Sequence, residues 1–261
     1  MKVAAAQIDS SLGDVDANLG RIRDFASRAK DRGIDLIVFP EMSDTGYSMP
    51  VIQKQATPWN EGAVPELKKM AREFSLAIVC GVSERASDSI YNSQVMVDGR
   101  GEIVATYRKT HLFSPAPVEE HKCFLPGDQL SDVAHDDFHF GLSICYDLRF
   151  PELYRALACD RGVDVFVNSS AWPFPRVEHL RALSVARAIE NQSYVILSNR
   201  VGKDGGVPFC GTSAIIDPYG VIVAAASTDR EELVTAELSR DVIESVRKRM
   251  PIFEHRRRDL Y

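Results

Sequence analysis

Apolar residues along the chain follow two patterns that alternate. One is a short continuous run, and the other is a segment with apolar residues at helical spacing. The segment KVAAAQI at the start is a predicted strand. Between residues 14 and 32 the apolar positions recur at helical spacing: Leu19, Ile22, Phe25, Ala26 and Ala29. Gly33 follows as a C-terminal cap, so this segment is a predicted helix.

The next segments repeat the alternation. DLIVFP, residues 35–40, is a continuous apolar run of strand length, which is typical of a strand covered on both faces. Residues 64–75 have a helical pattern, and LAIVCGV, residues 76–82, predicts another strand. Strands that alternate with helices favour an α/β architecture.

Two turn signals change the connections from crossovers to hairpins. DGRG, residues 98–101, separates NSQVMV from EIVATY, and PYG, residues 218–220, separates SAIID from VIVAAA. Between them, FHFGLSI, VDVFVNS and SYVILSN predict strands, while helices are predicted from Pro151 and over residues 177–191. This mixture predicts two mixed sheets sandwiched between helices.

Composition narrows the class of protein. The chain has 261 residues, enough for a sizeable core, and no linker, repeat or low-complexity tract divides it, so we expect a single domain over 1–261. A formal net charge of −6 gives no electrostatic reason to expect nucleic acid or an anionic membrane as a partner. No signal-peptide pattern follows Met1, and no apolar run approaches the roughly 20 residues of a membrane span.

The five cysteines are scattered and contain no C-x-x-C pair, so neither a disulfide framework nor a metal site is indicated. A reducing cytoplasm fits them best. Cys145 differs from the rest in its position, because it follows the strand FHFGLSI and comes shortly before Pro151, a residue suited to a first helical turn. Such a sharp connection can present a nucleophile beside backbone N–H groups.

A cysteine nucleophile needs a base, since its ordinary pKa of about 8.5 leaves little thiolate at neutral pH. None of the six histidines lies in a context that singles it out. Two other charged residues follow predicted strands: Glu41 comes after DLIVFP and Lys109 after IVATYR. Ligands of open α/β sheets gather beyond the carboxyl ends of strands, so we expect these groups to meet Cys145 there.

The segments FPEMSDTGY, YRKTHLF and ICYDLRFPEL resemble the three signature regions of the nitrilase, or carbon–nitrogen hydrolase, family. The resemblance continues through AWPFPRVEHL, ARAIENQSYVILSNRVG and GTSAIIDPYG, and so covers nearly the whole chain. It implies a four-layer αββα sandwich and hydrolysis of a non-peptide carbon–nitrogen bond without metal or cofactor.

The same resemblance implies roles for particular residues. Glu41 matches the family's general base, Lys109 its catalytic lysine and Cys145 its nucleophile. Glu120 matches a second glutamate that holds the lysine, although Glu119 is its direct neighbour. The resemblance further implies a thioester intermediate, whose oxyanion would be stabilised by the lysine and the backbone N–H of Tyr146.

CYDLRFPEL and ARAIENQ are most similar to the branch that contains omega-amidases and other small-amide hydrolases. We assign Tyr47, Trp172 and Arg176 to the substrate pocket, with Arg176 pairing a substrate carboxylate and Arg149 in reserve. Leu180 and Cys210 depart from the expected pattern, which leaves an aliphatic amidase, a nitrilase or an N-carbamoyl amine amidohydrolase as alternatives. Family resemblance also implies a homodimer.

Two alternatives come from other classes of protein. A metal-dependent phosphodiesterase can share a two-sheet sandwich, but it needs an Asp, Glu and His ligand set that the predicted loops do not assemble. A non-catalytic binding protein could retain the fold. The presence of Glu41, Lys109 and Cys145 together argues against it.

Overall fold

The computed structural model describes residues 1–260, which form two six-stranded sheets, a two-stranded ribbon and six α-helices. The first sheet consists of β1 (Lys2–Gln7), β2 (Leu36–Val38), β3 (Ala77–Ala86), β4 (Ser89–Val97), β5 (Ile103–Arg108) and β14 (Glu232–Glu237). The second consists of β6 (Asp132–His135), β7 (Phe138–Ile144), β8 (Val165–Ser170), β9 (Tyr194–Asn199), β12 (Ala214–Ile216) and β13 (Ile222–Ala225). The ribbon pairs β10 (Lys203–Asp204) with β11 (Val207–Pro208).

The two sheets share one plan. Their strand orders are β14-β1-β2-β3-β4-β5 and β13-β12-β9-β8-β7-β6. In each sheet three adjacent strands run parallel, β1-β2-β3 and β7-β8-β9, and the strands outside them pair antiparallel. Both predicted hairpins, β4-β5 and β12-β13, are confirmed.

The helices are α1 (Val15–Asp31), α2 (Met49–Gln55), α3 (Ala63–Phe74), α4 (Pro151–Arg161), α5 (Val177–Asn191) and α6 (Arg240–Arg249). α1 and α3 pack on the outer face of the first sheet, and α4 and α5 pack against the second. The order of layers is therefore helix, sheet, sheet, helix, which confirms the predicted αββα sandwich.

Burial on both faces explains the uninterrupted apolar run in β2. Leu36 and Val38 face the second sheet in one buried cluster, whereas Ile37 and Phe39 face α1 and α3 in another. All four side chains are fully buried. A strand covered on both sides has no polar face, so its sequence does not alternate.

No helix within residues 1–260 is long and apolar enough to cross a membrane.

Candidate active site

The chemical groups of the site come from the ends of four strands. Glu41 follows β2, Lys109 follows β5 directly, Cys145 follows β7 directly, and Ala171 follows β8. β7 and β8 are parallel neighbours, so their carboxyl ends lie at one edge of the second sheet, and the carboxyl end of β2 in the first sheet meets them there. Hydrogen bonds confirm the meeting, since the backbone N–H of Ala171 donates to Oε2 of Glu41 over 2.8 Å.

Lys109 lies between two carboxylates in the interior. Its Nζ donates to Oε1 of Glu41 and to Oε1 of Glu120, each over 2.8 Å. The lysine is 1% exposed and both glutamates are fully buried. The sequence left open which of two adjacent glutamates would approach the lysine; Glu120 does so, whereas Glu119 pairs with Lys122 near the surface.

Two further side chains hold these carboxylates. The amide of Asn92 donates to Oε1 of Glu41 over 2.6 Å and to Oε1 of Glu120 over 3.2 Å. The hydroxyl of Tyr47 donates to Oε1 of Glu120 over 2.5 Å. Sequence reasoning missed Asn92, although three polar residues in a row, NSQ, within an otherwise apolar strand were a usable signal.

Burial and neighbouring charges have opposing effects on the pKa values of Glu41 and Lys109. Burial raises the pKa of Glu41, and the Glu120 carboxylate adds to this increase, while Lys109 and the Asn92 hydrogen bond reduce it. Burial alone would lower the pKa of Lys109, but the two carboxylates outweigh burial and hold that pKa well above its usual value. Lys109 is therefore a permanent cation next to a carboxyl with increased affinity for a proton.

Cys145 occupies a strained turn. It begins a short 3₁₀ helix, Cys145–Arg149, and has a φ of 44°, in the left-handed region that disfavours residues with a Cβ. Burial raises the pKa of its thiol well above the usual value, and the charge of Glu41 adds to this, whereas Lys109 and the backbone of Ala171 lower it. The resting group is thus a thiol, which needs a neighbouring base to become a nucleophile.

A narrow pocket opens onto Cys145. Five residues predicted for substrate or oxyanion contact line it: Tyr47, Tyr146, Arg149, Trp172 and Arg176. Lys109, also predicted for oxyanion contact, is buried and is not among the lining residues. Apolar and aromatic side chains complete the wall: Phe113, Val118, Pro173, Val207 and Phe209.

Two arginines bring positive charge to this apolar wall. The Arg176 guanidinium lies 5.9 Å from the Phe113 ring centre, and that of Arg149 lies 4.7 Å from the Trp172 ring centre. Within residues 1–260 neither forms an ion pair with a carboxylate; Arg149 contacts a nitrogen of His179 instead. The pocket therefore has two cations available to an anionic ligand.

The remaining cysteines do not join the site. Cys80 and Cys210 are buried, and Cys123 and Cys159 are partly buried, all as free thiols. Within the described part of the chain, no three His, Cys, Asp or Glu side chains are placed to hold a metal ion.

Comparison with known proteins agrees with this geometry. The family model described as carbon-nitrogen hydrolase matches residues 2–248. A 2-oxoglutaramate amidase from Bacillus subtilis is 34% identical over 260 residues, covering 99% of this chain and 98% of the relative.

Solved structures extend the likeness to three dimensions. Nit3 from Saccharomyces cerevisiae, a member of branch 10 of the nitrilase superfamily, matches with a TM-score of 0.90 and 32% identity over 98% of this chain and 96% of its own. An amidase variant from Nesterenkonia sp. AN1, with acrylamide joined to its active-site cysteine by Michael addition, matches with a TM-score of 0.85 and 27% identity, covering 97% of this chain and 98% of the other. The chain belongs to the carbon–nitrogen hydrolase family.

Proposed function

We propose that this enzyme hydrolyses a small carboxamide that carries a distal carboxylate, an omega-amide such as 2-oxoglutaramate, to a dicarboxylate and ammonia. The observation that carries the proposal is a pocket lined by Cys145 and by two arginines without acidic partners, with the charges of the buried Glu41 and Lys109 acting on the Cys145 thiol. The Bacillus relative is named for the same substrate.

In the first half of the reaction Glu41 takes the thiol proton of Cys145 as the sulfur attacks the amide carbon. The oxyanion that develops is stabilised by the Lys109 ammonium and the backbone N–H of Tyr146, which lies in the first turn of a helix and has no intrahelical acceptor. Glu41 returns the proton to the nitrogen, the carbon–nitrogen bond breaks, ammonia leaves and a thioester remains.

In the second half a water molecule attacks the thioester, and Glu41 accepts a proton from that water. The carbon–sulfur bond breaks, the acid is released, and Cys145 regains its proton. Glu120 serves this cycle indirectly, since its carboxylate holds Lys109 and is itself held by Tyr47. The Glu120 carboxylate also helps to hold the pKa of Lys109 well above its usual value, so the lysine stays charged while Glu41 carries the proton.

Arg176 is the proposed partner of the distal carboxylate, because its guanidinium lines the pocket and can bind a carboxylate through two parallel hydrogen bonds. Trp172 supports this position, since its ring N–H donates to the backbone carbonyl of Arg176 over 3.0 Å. Arg149 is the second choice, because it contacts His179 and the Trp172 ring.

The test compares kcat/KM for 2-oxoglutaramate and for pentanamide, which has as many carbons but no carboxylate. We expect 2-oxoglutaramate to be preferred. Arg176→Ala should remove most of this preference, at a cost of about 2–5 kcal/mol for one partner of a buried charge pair. Arg181→Ala, in the helix α5 that Arg176 precedes as N-cap, is the matched control, because Arg181 pairs with exposed Glu178, and it should retain the preference.

Two results would contradict the proposal at different levels. Better turnover of pentanamide by the wild-type enzyme would overturn the omega-amide assignment. Ammonia release by Cys145→Ala at more than a trace of the wild-type rate would overturn the thioester mechanism.

We further propose a cytoplasmic homodimer. Free thiols at all five cysteines suit a reducing compartment. Met250 and Leu260, near the C-terminus, expose large apolar side chains that a second copy of the chain would cover.

A further inference from the structure

Asp147 lies two residues after Cys145 and forms hydrogen bonds to β7 and β5, the strands that Cys145 and Lys109 follow. Its Oδ2 accepts from the backbone N–H of Ile144, the last residue of β7, and from the hydroxyl of Tyr107 near the end of β5, each over 2.9 Å. Its Oδ1 accepts from the backbone N–H of His111 over 3.1 Å and lies 2.8 Å from Nδ1 of the same residue. The carboxylate is fully buried.

Besides its backbone N–H, the side chain of His111 contacts the turn that carries Cys145 at two points. Because an ionised carboxylate only accepts, Nδ1 of His111 donates to Asp147. Its ring also stacks on Phe150, the residue that ends the 3₁₀ helix, with centres 3.7 Å apart and planes 11° from parallel. His111 is two residues beyond Lys109, so each contact links the lysine's segment to the cysteine's turn.

The contacts of Asp147 and His111 stabilise the unusual backbone conformation of Cys145. A residue with a Cβ stays in the left-handed region only where its surroundings determine the backbone on both sides. The bond from Ile144 to Asp147 closes the turn around Cys145, and the bonds from His111 fix that turn against the end of β5.

We propose that Asp147 and His111 are positioning residues, which hold the sulfur of Cys145 at a fixed offset from the ammonium of Lys109. Neither transfers a proton to substrate, and both act through the backbone of the turn. This inference rests on the proposed role of Cys145 as nucleophile. It does not depend on which amide is the substrate.

The test separates the two contacts of His111. His111→Phe keeps a ring to stack on Phe150 but has no donor for Asp147, whereas His111→Asn keeps a side-chain N–H near the position of Nδ1 but loses the ring. We measure kcat, KM and the thermal midpoint with the amide that the wild-type enzyme hydrolyses fastest. His111→Phe should lower kcat by about 10- to 100-fold through misplacement of the nucleophile. Its KM should stay within about twofold, and His111→Asn should recover most of kcat.

His139→Phe is the matched control, because His139 forms a similar pair with Asp132 over 2.8 Å, in the hairpin of β6 and β7 away from the pocket. It should leave kcat unchanged. Asp147→Asn should lower kcat to a similar extent as His111→Phe. If this substitution at a buried position prevents folding, the histidine variants still decide the test.

Unchanged kcat in His111→Phe, or a loss that follows the thermal midpoint in all variants including the control, would overturn the positioning role. Either result leaves the proposed function intact, since the wild-type enzyme still releases ammonia. Conversely, a wild-type preference for neutral amides would contradict the proposed omega-amide substrate. The positioning role would still be tested, with kcat measured on the neutral amide.

Discussion

At the scale of single residues, Glu41 has to lose its proton before it can accept one from Cys145. Burial raises the pKa of this carboxyl, so it becomes protonated at a higher pH than an exposed glutamate does. A protonated Glu41 is no base. We therefore expect kcat/KM to fall with decreasing pH through this raised pKa, and the acid limb to lie above the range of an ordinary glutamate.

Asn92 provides the sharper form of this prediction. Its hydrogen bond stabilises the ionised form of Glu41 and so lowers the pKa of that carboxyl. Asn92→Ala should move the acid limb of kcat/KM to higher pH. Asn60→Ala, at an exposed position, is the control and should reproduce the wild-type profile. An acid limb that stays in place or moves to lower pH in Asn92→Ala would show that Glu41 is not the base that sets it.

The sequence located Cys145, Glu41 and Lys109 together because each follows a recognisable strand and strand ends converge. It did not locate Asn92, which lies within a strand, or the N–H of Ala171, because a backbone group leaves no trace in residue identity. The contact from His111 to Asp147 is likewise not predictable from the sequence, because a histidine that supports a turn has the same sequence appearance as one that acts as a base.

At the scale of elements, the backbone of β3 lies very close to the segment that follows β2. A Cβ added at Gly81 would lie 2.6 Å from Cα of Glu41 and 2.6 Å from the carbonyl oxygen of Pro40, both backbone atoms. The backbone of Gly81 also bonds this segment, since its carbonyl accepts from the N–H of Ser43 over 2.9 Å. The glycine therefore sets how deeply Glu41 lies in the site.

Gly81→Ala should displace Glu41 and lower kcat by about 100-fold, with a reduced thermal midpoint. Gly20→Ala is the matched control, because Gly20 lies in α1 with nothing within 4 Å of an added Cβ. That substitution should leave kcat unchanged and stabilise the protein by about 0.5–1 kcal/mol. An unchanged kcat in Gly81→Ala would contradict the claim that Gly81 sets the position of Glu41 that turnover requires.

Elements with strong patterns were predictable, and those fixed by tertiary contacts were not. The bounds of α5 and both hairpins follow from periodicity and turn residues. β6, β10 and β11 have two to four residues each, too few to show a period, and they form only because a neighbouring strand pairs with them. α6 and β14 are exceptions, since α6 has an amphipathic pattern in its sequence and β14 is six residues long, but neither is among the predicted elements.

At the scale of the whole molecule, the C-terminal segment already packs on its own subunit. The Phe253 ring lies 5.8 Å from the guanidinium of Arg155 in α4 and 5.6 Å from that of Arg247 in α6. A second copy related by a twofold axis would cover the exposed residues beside it. That the chain forms a single domain and a homodimer remains a prediction.

Removal of residues 251–261 tests the dimer and retains Met250, whose carbonyl accepts from Gln192 over 2.7 Å. We expect the shortened chain to shift from dimer towards monomer in light scattering at micromolar concentration, and the intact chain to remain a dimer. An intact chain that scatters as a monomer would contradict the proposed assembly.

Polar bonds across the middle of the sandwich restrict how the two sheets move. The hydroxyl of Ser169 in β8 donates to the carbonyl of Phe39 and accepts from the amide of Gln94 in β4, each over 2.7 Å, and Ser198 in β9 donates to the carbonyl of Ala6 over 2.6 Å. Apolar faces alone resist separation but hardly resist sliding, because their attraction has no direction.

Because these bonds resist sliding, the distance between Cys145, which follows a strand of one sheet, and Glu41, which follows a strand of the other, stays nearly constant as sequences diverge. Substitutions that change substrate preference are then expected in pocket segments that lie outside the two sheets. Val207, in the ribbon of β10 and β11, and Tyr47, in the segment after β2, line the pocket and belong to neither sheet. New specificities in this lineage should therefore arise from substitutions in those loops, with the sandwich unchanged beneath them.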